Sequence, residues 1–307
     1  MEKILISDDE PTISVVIPLY NHEKYIDAAI DSLVAQSVPP DEIIVVDDGS
    51  QDGSFQRVQQ RAHQDSRILC WSRPNKGAHA TLNEAIERAS GNYVAILNSD
   101  DCYEPTRLEV CLNALETKPG VSVVCTGLSF VNGAGKGRRN KWYEQARKFY
   151  DDVGDLSLAL INGNFLMTTS NVFMKREVFD VVGPFANLRY SHDLDYFLRI
   201  HAQGFQILLL DDPLLKYRMH GSNTISEDVL KVKAEWAAVV ASYAYSSDSE
   251  SDWSYLGRMI EIADRHNLTR MLFMFFLYFR RTSTDKVRAD SYLDAADFQD
   301  FLQKAAK

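Results

Sequence analysis

The feature that most restricts the fold of this chain is a series of short apolar runs that alternate with amphipathic helical segments in its first half. Runs rich in β-branched residues, without polar alternation, are typical of strands buried on both faces. Their alternation with helices predicts an α/β protein with a wound, mostly parallel sheet. The predicted strands are Ile13–Ile17, Ile43–Val46, Arg67–Trp71, Tyr93–Leu97 and Val121–Cys125.

The second half of the chain divides into a mixed part and a helical part. Residues 129–155 are rich in glycine, basic and aromatic residues, which predicts a long surface loop with at most one short helix. Helices are expected near residues 176–182 and 193–203. Beyond residue 222 the pattern is helical, with breaks at 246–252 and 282–285. We therefore place a boundary near residue 226, with a domain at 1–226 and a C-terminal helical region at 227–307.

Composition excludes several classes of protein. The 307 residues include 33 basic and 43 acidic side chains, a net charge of −10, so no nucleic-acid partner is expected. The start of the chain, MEKILISDDEPT, does not resemble a secretory signal, and the apolar run Met271–Phe279 is too short to span a bilayer. These features predict a cytoplasmic protein. Four cysteines without metal-binding spacing are expected to stay reduced: Cys70, Cys102, Cys111 and Cys125.

Polar clusters follow three of the predicted strands, at 18–21, 47–50 and 98–101. Ligands of open α/β sheets bind at the carboxyl ends of the strands, so the three clusters predict one common site, although each alone is an ordinary turn sequence. Neither glycine-rich phosphate-binding motif is present, and Gly133–Gly137 has the wrong spacing. A bound diphosphate would therefore need a cation. Asp100 and Asp101 offer the hard oxygen ligands that Mg²⁺ or Mn²⁺ prefers.

Three stretches of this chain together resemble the family 2 glycosyltransferases: PTISVVIPLYNHEKYIDAAIDSLVAQS, DEIIVVDDGSQDGS and NKGAHATLNEAIERASGNYVAILNSDD. The resemblance extends over residues 12–226. It implies the GT-A (Rossmann-like) fold, a mixed, mostly parallel sheet flanked by helices, here with a C-terminal helical extension. It also implies transfer of a sugar from a nucleotide-sugar donor, with a UDP-sugar expected, to an acceptor hydroxyl, with inversion and with Mg²⁺ or Mn²⁺.

The resemblance assigns several residues to the donor site. Asp48, with Asp47 beside it, would bind the base. Asn98, Ser99 and Asp100 occupy the D-x-D position, followed by Asp101. Asn98 departs from the family, where aspartate is common, so metal binding would fall on Asp100 and Asp101. The remaining positions would surround the nucleotide and its sugar: Pro18, Tyr20, Asn21, Glu23, Arg73, Asn75, Gly77 and Asn83.

Residues 192–199 resemble another characteristic segment of that family, E-D-x-D-x-x-x-R. This resemblance aligns Asp193 with the catalytic base. His192 replaces the glutamate. From the residues alone, Ser191 and Asp193 could equally serve the start of a helix. Asp195 lies on another face of such a helix and is expected to support the fold.

The segment that begins at Tyr217 resembles the family's Y-R-x-H sequence. Arg218 could offset phosphate charge, and His220 could bind the metal or the diphosphate, although a lone histidine is often structural.

Two further features concern the acceptor and partners. The stretch 136–148 carries six basic residues and one glutamate, which suits either a solvated loop or contact with the donor, a lipid phosphate or an anionic membrane. The apolar segment 271–279 suits core packing, a homodimer contact or a membrane surface. We thus expect a glycan or lipid-linked glycan acceptor, with peripheral contact at the inner face of the membrane. Two alternatives for the whole chain are a non-catalytic nucleotide-sugar-binding regulator on this fold and a nucleotidyltransferase, whose glycine- and lysine-rich loop is absent.

Overall fold

The structure is a computed structural model that describes residues 10–221, 223–246, 253–282, 293 and 295–306. Short 3₁₀ helices occur at Thr169–Asn171 and Thr224–Ser226. The strands are β1 (Ile13–Leu19), β2 (Glu42–Asp47), β3 (Ile68–Ser72), β4 (Tyr93–Ile96), β5 (Cys102–Tyr103), β6 (Val121–Cys125), β7 (Leu128–Asn132), β8 (Gly137–Arg138), β9 (Phe173–Lys175), β10 (Gln206–Leu209) and β11 (Leu215–Met219). The α-helices are α1 (Ile26–Val34), α2 (Ser54–Ala62), α3 (Ala78–Arg88), α4 (Arg107–Thr117), α5 (Lys141–Val153), α6 (Leu156–Asn162), α7 (Arg176–Val182), α8 (His192–Ala202), α9 (Val229–Ser246), α10 (Trp253–Arg265), α11 (Thr269–Thr282) and α12 (Ala296–Ala305).

The larger sheet has seven strands in the order β10-β6-β9-β4-β1-β2-β3. Strands β3, β2, β1 and β4 run parallel, as do β6 and β10, whereas β9 is antiparallel to both of its neighbours. The prediction of a mixed, mostly parallel α/β sheet is therefore confirmed. Because β1, β2 and β4 are parallel, their carboxyl ends meet at one edge, which brings the three polar clusters of the sequence together.

Alternate residues of each central strand face opposite layers of the core. In β1, Val16 belongs to one buried cluster, while Val15 and Ile17 belong to the other. Both sets are fully buried, since helices cover the two faces of the sheet. This two-sided burial explains why the strand sequences are continuously apolar and do not alternate with polar residues.

A second, four-stranded sheet in the order β5-β11-β7-β8 lies beyond the end of β4. Its central pair, β7 and β11, is parallel, with Phe130 opposite Tyr217. This sheet carries the Y-R-x-H segment at the end of β11 back to the turn that follows β4.

The prediction of a long loop at 129–155 was wrong. These residues form most of β7, the short strand β8 and the 13-residue helix α5. The helix begins where the Asn140 side chain accepts a hydrogen bond from the backbone N–H of Tyr143, and it ends at Gly154 in the left-handed conformation. Ala146 is buried, and the aromatic and apolar side chains of α5 at helical spacing, Tyr143, Phe149, Tyr150 and Val153, pack partly buried against the core. The sequence therefore carried an apolar stripe of helical period that the loop prediction overlooked.

The C-terminal helices α9 to α12 pack on the same buried cluster as one face of the large sheet. Leu272, Phe275 and Phe279 of α11 are buried, whereas Phe273 and Leu277 are exposed. The boundary near residue 226 stays a prediction. Of the expected breaks at 246–252 and 282–285, the first residues, Ser246 and Thr282, are the last residues of α9 and α11. The rest of both breaks, like the first nine residues, lies outside the described residues. None of the helices described here has both the length and the apolar character needed to cross a bilayer.

Candidate active site

The loops that follow β1 and β2 are tied together at the carboxyl edge of the large sheet. Asn21, which has a positive φ of 53°, accepts a hydrogen bond from the N–H of Gln51 at 2.8 Å. The Glu23 carboxylate accepts one from Gly53 at 3.2 Å. Tyr20 projects from the same loop and is half-exposed. Tyr20, Asn21 and Glu23 thus lie in one loop at this edge, and Pro18 precedes them near the end of β1, opposite Val46 of β2. Their contact with a nucleotide stays a prediction.

The two aspartates after β2 organise the neighbouring strand and helix. Asp48 is buried and forms an ion pair with Arg73, and it accepts hydrogen bonds from the N–H groups of Lys76 and Gly77 at 2.8 and 2.9 Å. Asp47 accepts from the N–H of Ser50 and from the Ser72 hydroxyl, the latter at 2.5 Å. These contacts bring Asp47, Asp48, Arg73 and Gly77 together as expected.

Helix α3 carries the remaining donor-site candidates of this region. Gly77, at its start, has φ of 92°, a conformation that favours glycine. Asn75 is exposed just before it. Asn83 lies six residues after Gly77, and both ends of its amide are hydrogen-bonded: it donates to the carbonyl of Phe185 at 2.9 Å and accepts from the N–H of Phe185 at 2.7 Å. Asn83 therefore joins α3 to the loop before α8.

The turn after β4 separates the neighbouring polar side chains. Both ends of the Asn98 amide bond to threonine hydroxyls, of Thr168 and Thr169. Asp100 points the other way, 2.9 Å from Nε2 of His220. The Asp101 carboxylate is buried and accepts from the Ser170 hydroxyl at 2.7 Å and from the N–H of Arg218 at 2.8 Å.

Three side chains beside this turn form a group that could hold a metal ion. His22, Asp100 and His220 each offer one ligand atom, and these atoms lie within 4.8 Å of one another. The ring of Tyr25 stacks on His220, with centroids 5.0 Å apart. Burial, and to a lesser degree His220, lowers the pKa of His22, so its imidazole is neutral at pH 7. Neutral imidazole is the form that binds metals.

The sequence analysis missed His22, although it lies between Asn21 and Glu23, which were both selected. Asp101, which was expected to be a ligand beside Asp100, lies outside this group because its two oxygens face Ser170 and the backbone of Arg218. Two imidazoles and one carboxylate suit Mn²⁺ better than Mg²⁺, which prefers oxygen ligands.

Arg218 is buried above the same turn. Its Nε donates to the carbonyl of Asp100 at 2.7 Å, and its guanidinium lies 5.0 Å from the centre of the Tyr25 ring. One guanidinium nitrogen donates to the carbonyl of Asn132 at 3.3 Å. Arg218 thus holds the turn after β4 against the β7–β8 hairpin and brings a positive charge to the site.

Asp193 lies in the first turn of α8, with most of its carboxyl enclosed by protein. Burial raises its pKa to about 7, although hydrogen bonds from the N–H of Leu194 and from the Asn164 side chain oppose this rise. The Asn164 Oδ1 atom is buried and has no hydrogen-bond partner among the described residues. Tyr217 lies within electrostatic range of Asp100, Asp101 and Asp193, which brings the carboxyl of α8 to the same end of the molecule as the metal-binding group.

The two neighbours that the sequence distinguished from Asp193 have structural contacts. Asp195 is buried and forms an ion pair with Arg199 at 2.8 Å, so it supports the fold. Burial lowers the pKa of His192 to about 4, and its imidazole is neutral at pH 7. Ser191 precedes the helix without a side-chain capping hydrogen bond.

Comparison with known proteins assigns this chain to a family. The family model described as glycosyl transferase family 2 matches residues 14–191, more than half of the chain. The fold and this match define a glycosyltransferase, and the chain belongs to glycosyltransferase family 2. TuaG of Bacillus subtilis strain 168, a glycosyltransferase assigned to teichuronic acid biosynthesis, is 30% identical over 228 residues, 74% of this chain and 86% of TuaG.

Two further comparisons extend this result. The chondroitin synthase of Pasteurella multocida strain Pm70 is 27% identical over 247 residues, which cover 80% of this chain but 24% of that enzyme. A crystal structure of S. aureus TarS, residues 1–349, in complex with UDP-GlcNAc has a TM-score of 0.60 at 18% identity and covers 96% of this chain and 82% of its own. The predicted GT-A fold is thereby confirmed.

Proposed function

We propose that this glycosyltransferase moves a sugar from a UDP-sugar to a hydroxyl of a glycan, in the synthesis of a polysaccharide, with inversion at the anomeric carbon. The observation that carries the proposal is the raised pKa of Asp193, at the same end of the molecule as the His22–Asp100–His220 group. The names of TuaG and of chondroitin synthase support a polysaccharide product, and the UDP-GlcNAc in the TarS crystal supports a UDP-sugar donor.

In this mechanism Asp193 accepts the proton of the acceptor hydroxyl, and the oxygen of that hydroxyl attacks the anomeric carbon of the donor sugar. The new carbon–oxygen bond forms as the bond to the diphosphate breaks, and the nucleoside diphosphate leaves with its electron pair. A pKa of about 7 suits a general base, since the carboxylate is both abundant and basic at neutral pH. A divalent cation held by His22, Asp100 and His220 would offset the charge of the departing diphosphate.

The charged side chains near this group serve the same donor. Arg218 adds a positive charge beside Asp100, and Asp47 and Asp48 lie at the end of β2, where we propose that the base of the nucleotide binds. Asn83 and Asn98 are each engaged at both ends of the amide by the protein, so we propose that they shape the donor site through the loops they hold.

A glycan acceptor is supported by Trp142, at the start of α5. Its ring is 46% exposed and packs on Gly163, where a Cβ would lie 2.7 Å from the ring atom Cζ2. Gly163 directly precedes Asn164, which hydrogen-bonds to Asp193. An aromatic face so close to the base suits stacking with a sugar ring, and the free Oδ1 of Asn164 suits a hydroxyl donor.

The test is release of nucleoside diphosphate from a panel of UDP-sugars and other nucleotide sugars, with and without Mn²⁺. Asp193→Asn should reduce release from the preferred donor by about 10²–10⁴-fold, because general-base catalysis contributes that much. Binding of UDP to this variant should stay within about threefold of the parent, because the carboxyl faces the acceptor. Near-normal turnover by the variant would exclude Asp193 as the base. Binding without release from any donor would favour the non-catalytic alternative.

A further inference from the structure

The backbone segment directly before Asp193 is held by a carboxylate from the C-terminal helical region. Glu235 of α9 is 5% exposed. Its Oε1 accepts a hydrogen bond from the N–H of Arg189 at 3.0 Å, and its Oε2 accepts from those of Tyr190 and Ser191 at 2.7 and 3.0 Å. Three consecutive backbone donors thus converge on one side chain, immediately before α8 begins.

Burying the Glu235 carboxyl costs free energy, which its hydrogen bonds must offset. Burial raises the pKa of Glu235, and the three backbone hydrogen bonds oppose that rise. Charge-assisted hydrogen bonds are stronger than neutral ones, and a donor left unsatisfied in the interior carries a desolvation penalty. Since Glu235 lies beyond the residues matched by the family model, 14–191, neither the family match nor its motifs assign it a role.

We infer that Glu235 is a positioning residue for Asp193: it fixes the path of residues 189–191 and thereby the direction in which the first turn of α8 presents the catalytic carboxyl. This inference rests on the proposed role of Asp193 as the base. It gives the C-terminal helical region a part in the reaction, because α9 supplies the anchor for a residue of the sheet domain.

The charges around Asp193 make the inference measurable. Asp195 on α8 contributes to the raised pKa of Asp193, the charge of Asp193 contributes to the raised pKa of Glu235 on α9, and Tyr217 of β11 lies within electrostatic range. Asn164 and the N–H of Leu194 donate to its carboxyl, while the neighbouring His192 is neutral. Because an interaction between two carboxyls is mutual, replacing Glu235 by a neutral side chain favours ionisation of Asp193.

The experiment compares Glu235→Gln with Glu227→Gln in the full chain. Glu227 follows the 3₁₀ helix Thr224–Ser226, is exposed and forms an ion pair with the Arg189 side chain at 2.7 Å. Its variant therefore removes a carboxylate that contacts the same loop and leaves the backbone hydrogen bonds of residues 189–191 intact. The readouts are kcat and KM for nucleoside diphosphate release from the preferred donor, their pH profiles, and the shift in melting temperature with UDP and Mn²⁺.

We expect Glu235→Gln to lower kcat by about 10–100-fold, to move the acidic limb of the pH profile to lower pH, and to leave the UDP-dependent shift unchanged. A merely structural role would lower stability without moving the pH profile. Glu235→Asp, which keeps the charge, should restore part of kcat, and Glu227→Gln should behave like the parent. Parent-like kcat and pH profile in Glu235→Gln would overturn the inference.

A second measurement does not depend on turnover or on that variant's full stability. Hydrogen exchange at the amides of 189–191 should be slow in the parent, faster in Glu235→Asp and unchanged in Glu227→Gln; equal rates in the parent and Glu235→Asp would contradict the anchor. The two assignments fail separately. Normal turnover by Asp193→Asn would exclude Asp193 as the base. An inactive Asp193→Asn together with a parent-like Glu235→Gln would exclude only the positioning role of Glu235.

Discussion

The environment of Asp193 gives its carboxyl a pKa well above that of an ordinary aspartate. Because burial raises its pKa to about 7, the carboxylate is the minor form in weakly acidic solution. We predict that kcat/KM rises about tenfold per pH unit below 7 and levels off above it, so that about one hundredth of the plateau remains at pH 5. A profile with its acidic midpoint near 4, measured where the melting temperature shows the protein folded, would contradict this assignment.

At His22, we propose that the imidazole sets the metal preference of the site. We predict that UDP and Mn²⁺ together raise the melting temperature by more than the sum of their separate shifts, because each supplies ligands or charge that the other needs. His22→Asn should remove most of this excess with Mn²⁺ and change little with Mg²⁺, since an amide lacks the imidazole nitrogen.

The control for this metal prediction is His63→Asn, at an exposed position after α2. It should keep the full excess. An unaltered Mn²⁺ response in His22→Asn would show that Asp100 and His220 suffice to bind the metal. Full stabilisation by UDP in the presence of EDTA would show that Arg218 and Arg73, and not a metal, neutralise the diphosphate.

At the scale of single elements, helix α5 is where structure and sequence differ most, and it carries the candidate acceptor surface. Trp142 stands in its first turn against Gly163. We predict that Trp142→Ala raises KM for a glycan acceptor about tenfold, which corresponds to about 1.4 kcal/mol of lost binding. The shift in melting temperature with UDP and Mn²⁺ should be unchanged. Equal KM values, measured with the acceptor that the parent enzyme uses, would exclude stacking on this ring.

The six basic residues of 136–148 also have a different setting from the one expected. Arg139, Arg147 and Lys148 pair with Glu144, Asp211 and Asp152. Three of the six basic side chains are thus paired with carboxylates, two of them on α5, which weakens the case for a phosphate-binding loop. The other three are the exposed side chains of Lys136 and Arg138 on the β7–β8 hairpin and of Lys141 at the start of α5.

At the scale of the whole molecule, we propose peripheral contact with an anionic membrane at its cytoplasmic face, through α11. Phe273 and Leu277 are 64% and 43% exposed, and Arg270 and Arg281 flank them on the same side of the helix. We predict that the protein floats with anionic liposomes at low salt and is released as salt screens the attraction. Phe273→Ser should weaken this binding.

The matched control for membrane binding is Ile260→Ser on α10, which removes an equally exposed apolar side chain elsewhere. It should leave flotation unchanged. Absence of flotation at low salt, together with a molecular mass twice that of the chain in light scattering, would instead favour the homodimer through these helices.

The sequence by itself determined the large sheet and the edge at which the site lies. Continuous β-branched runs can be buried on both faces only in a covered parallel sheet, and the polar residues that follow them must then meet at the carboxyl edge. Asp48, Asp100 and Asp193 were found in this way or through the family motifs, which record the same geometry.

Only the tertiary structure decided which neighbours within those motifs face the site. Asp100 and Asp101 are adjacent in sequence, yet the turn sends one toward His220 and the other toward Ser170. His22 lies beside Asp100, 78 residues away, and Glu235 accepts hydrogen bonds from the backbone of residues 189–191, 44 to 46 residues away. A local sequence pattern determines the secondary-structure propensity of a segment. The direction of a polar side chain depends instead on which distant groups satisfy its charge and hydrogen bonds, and only folding brings those groups together.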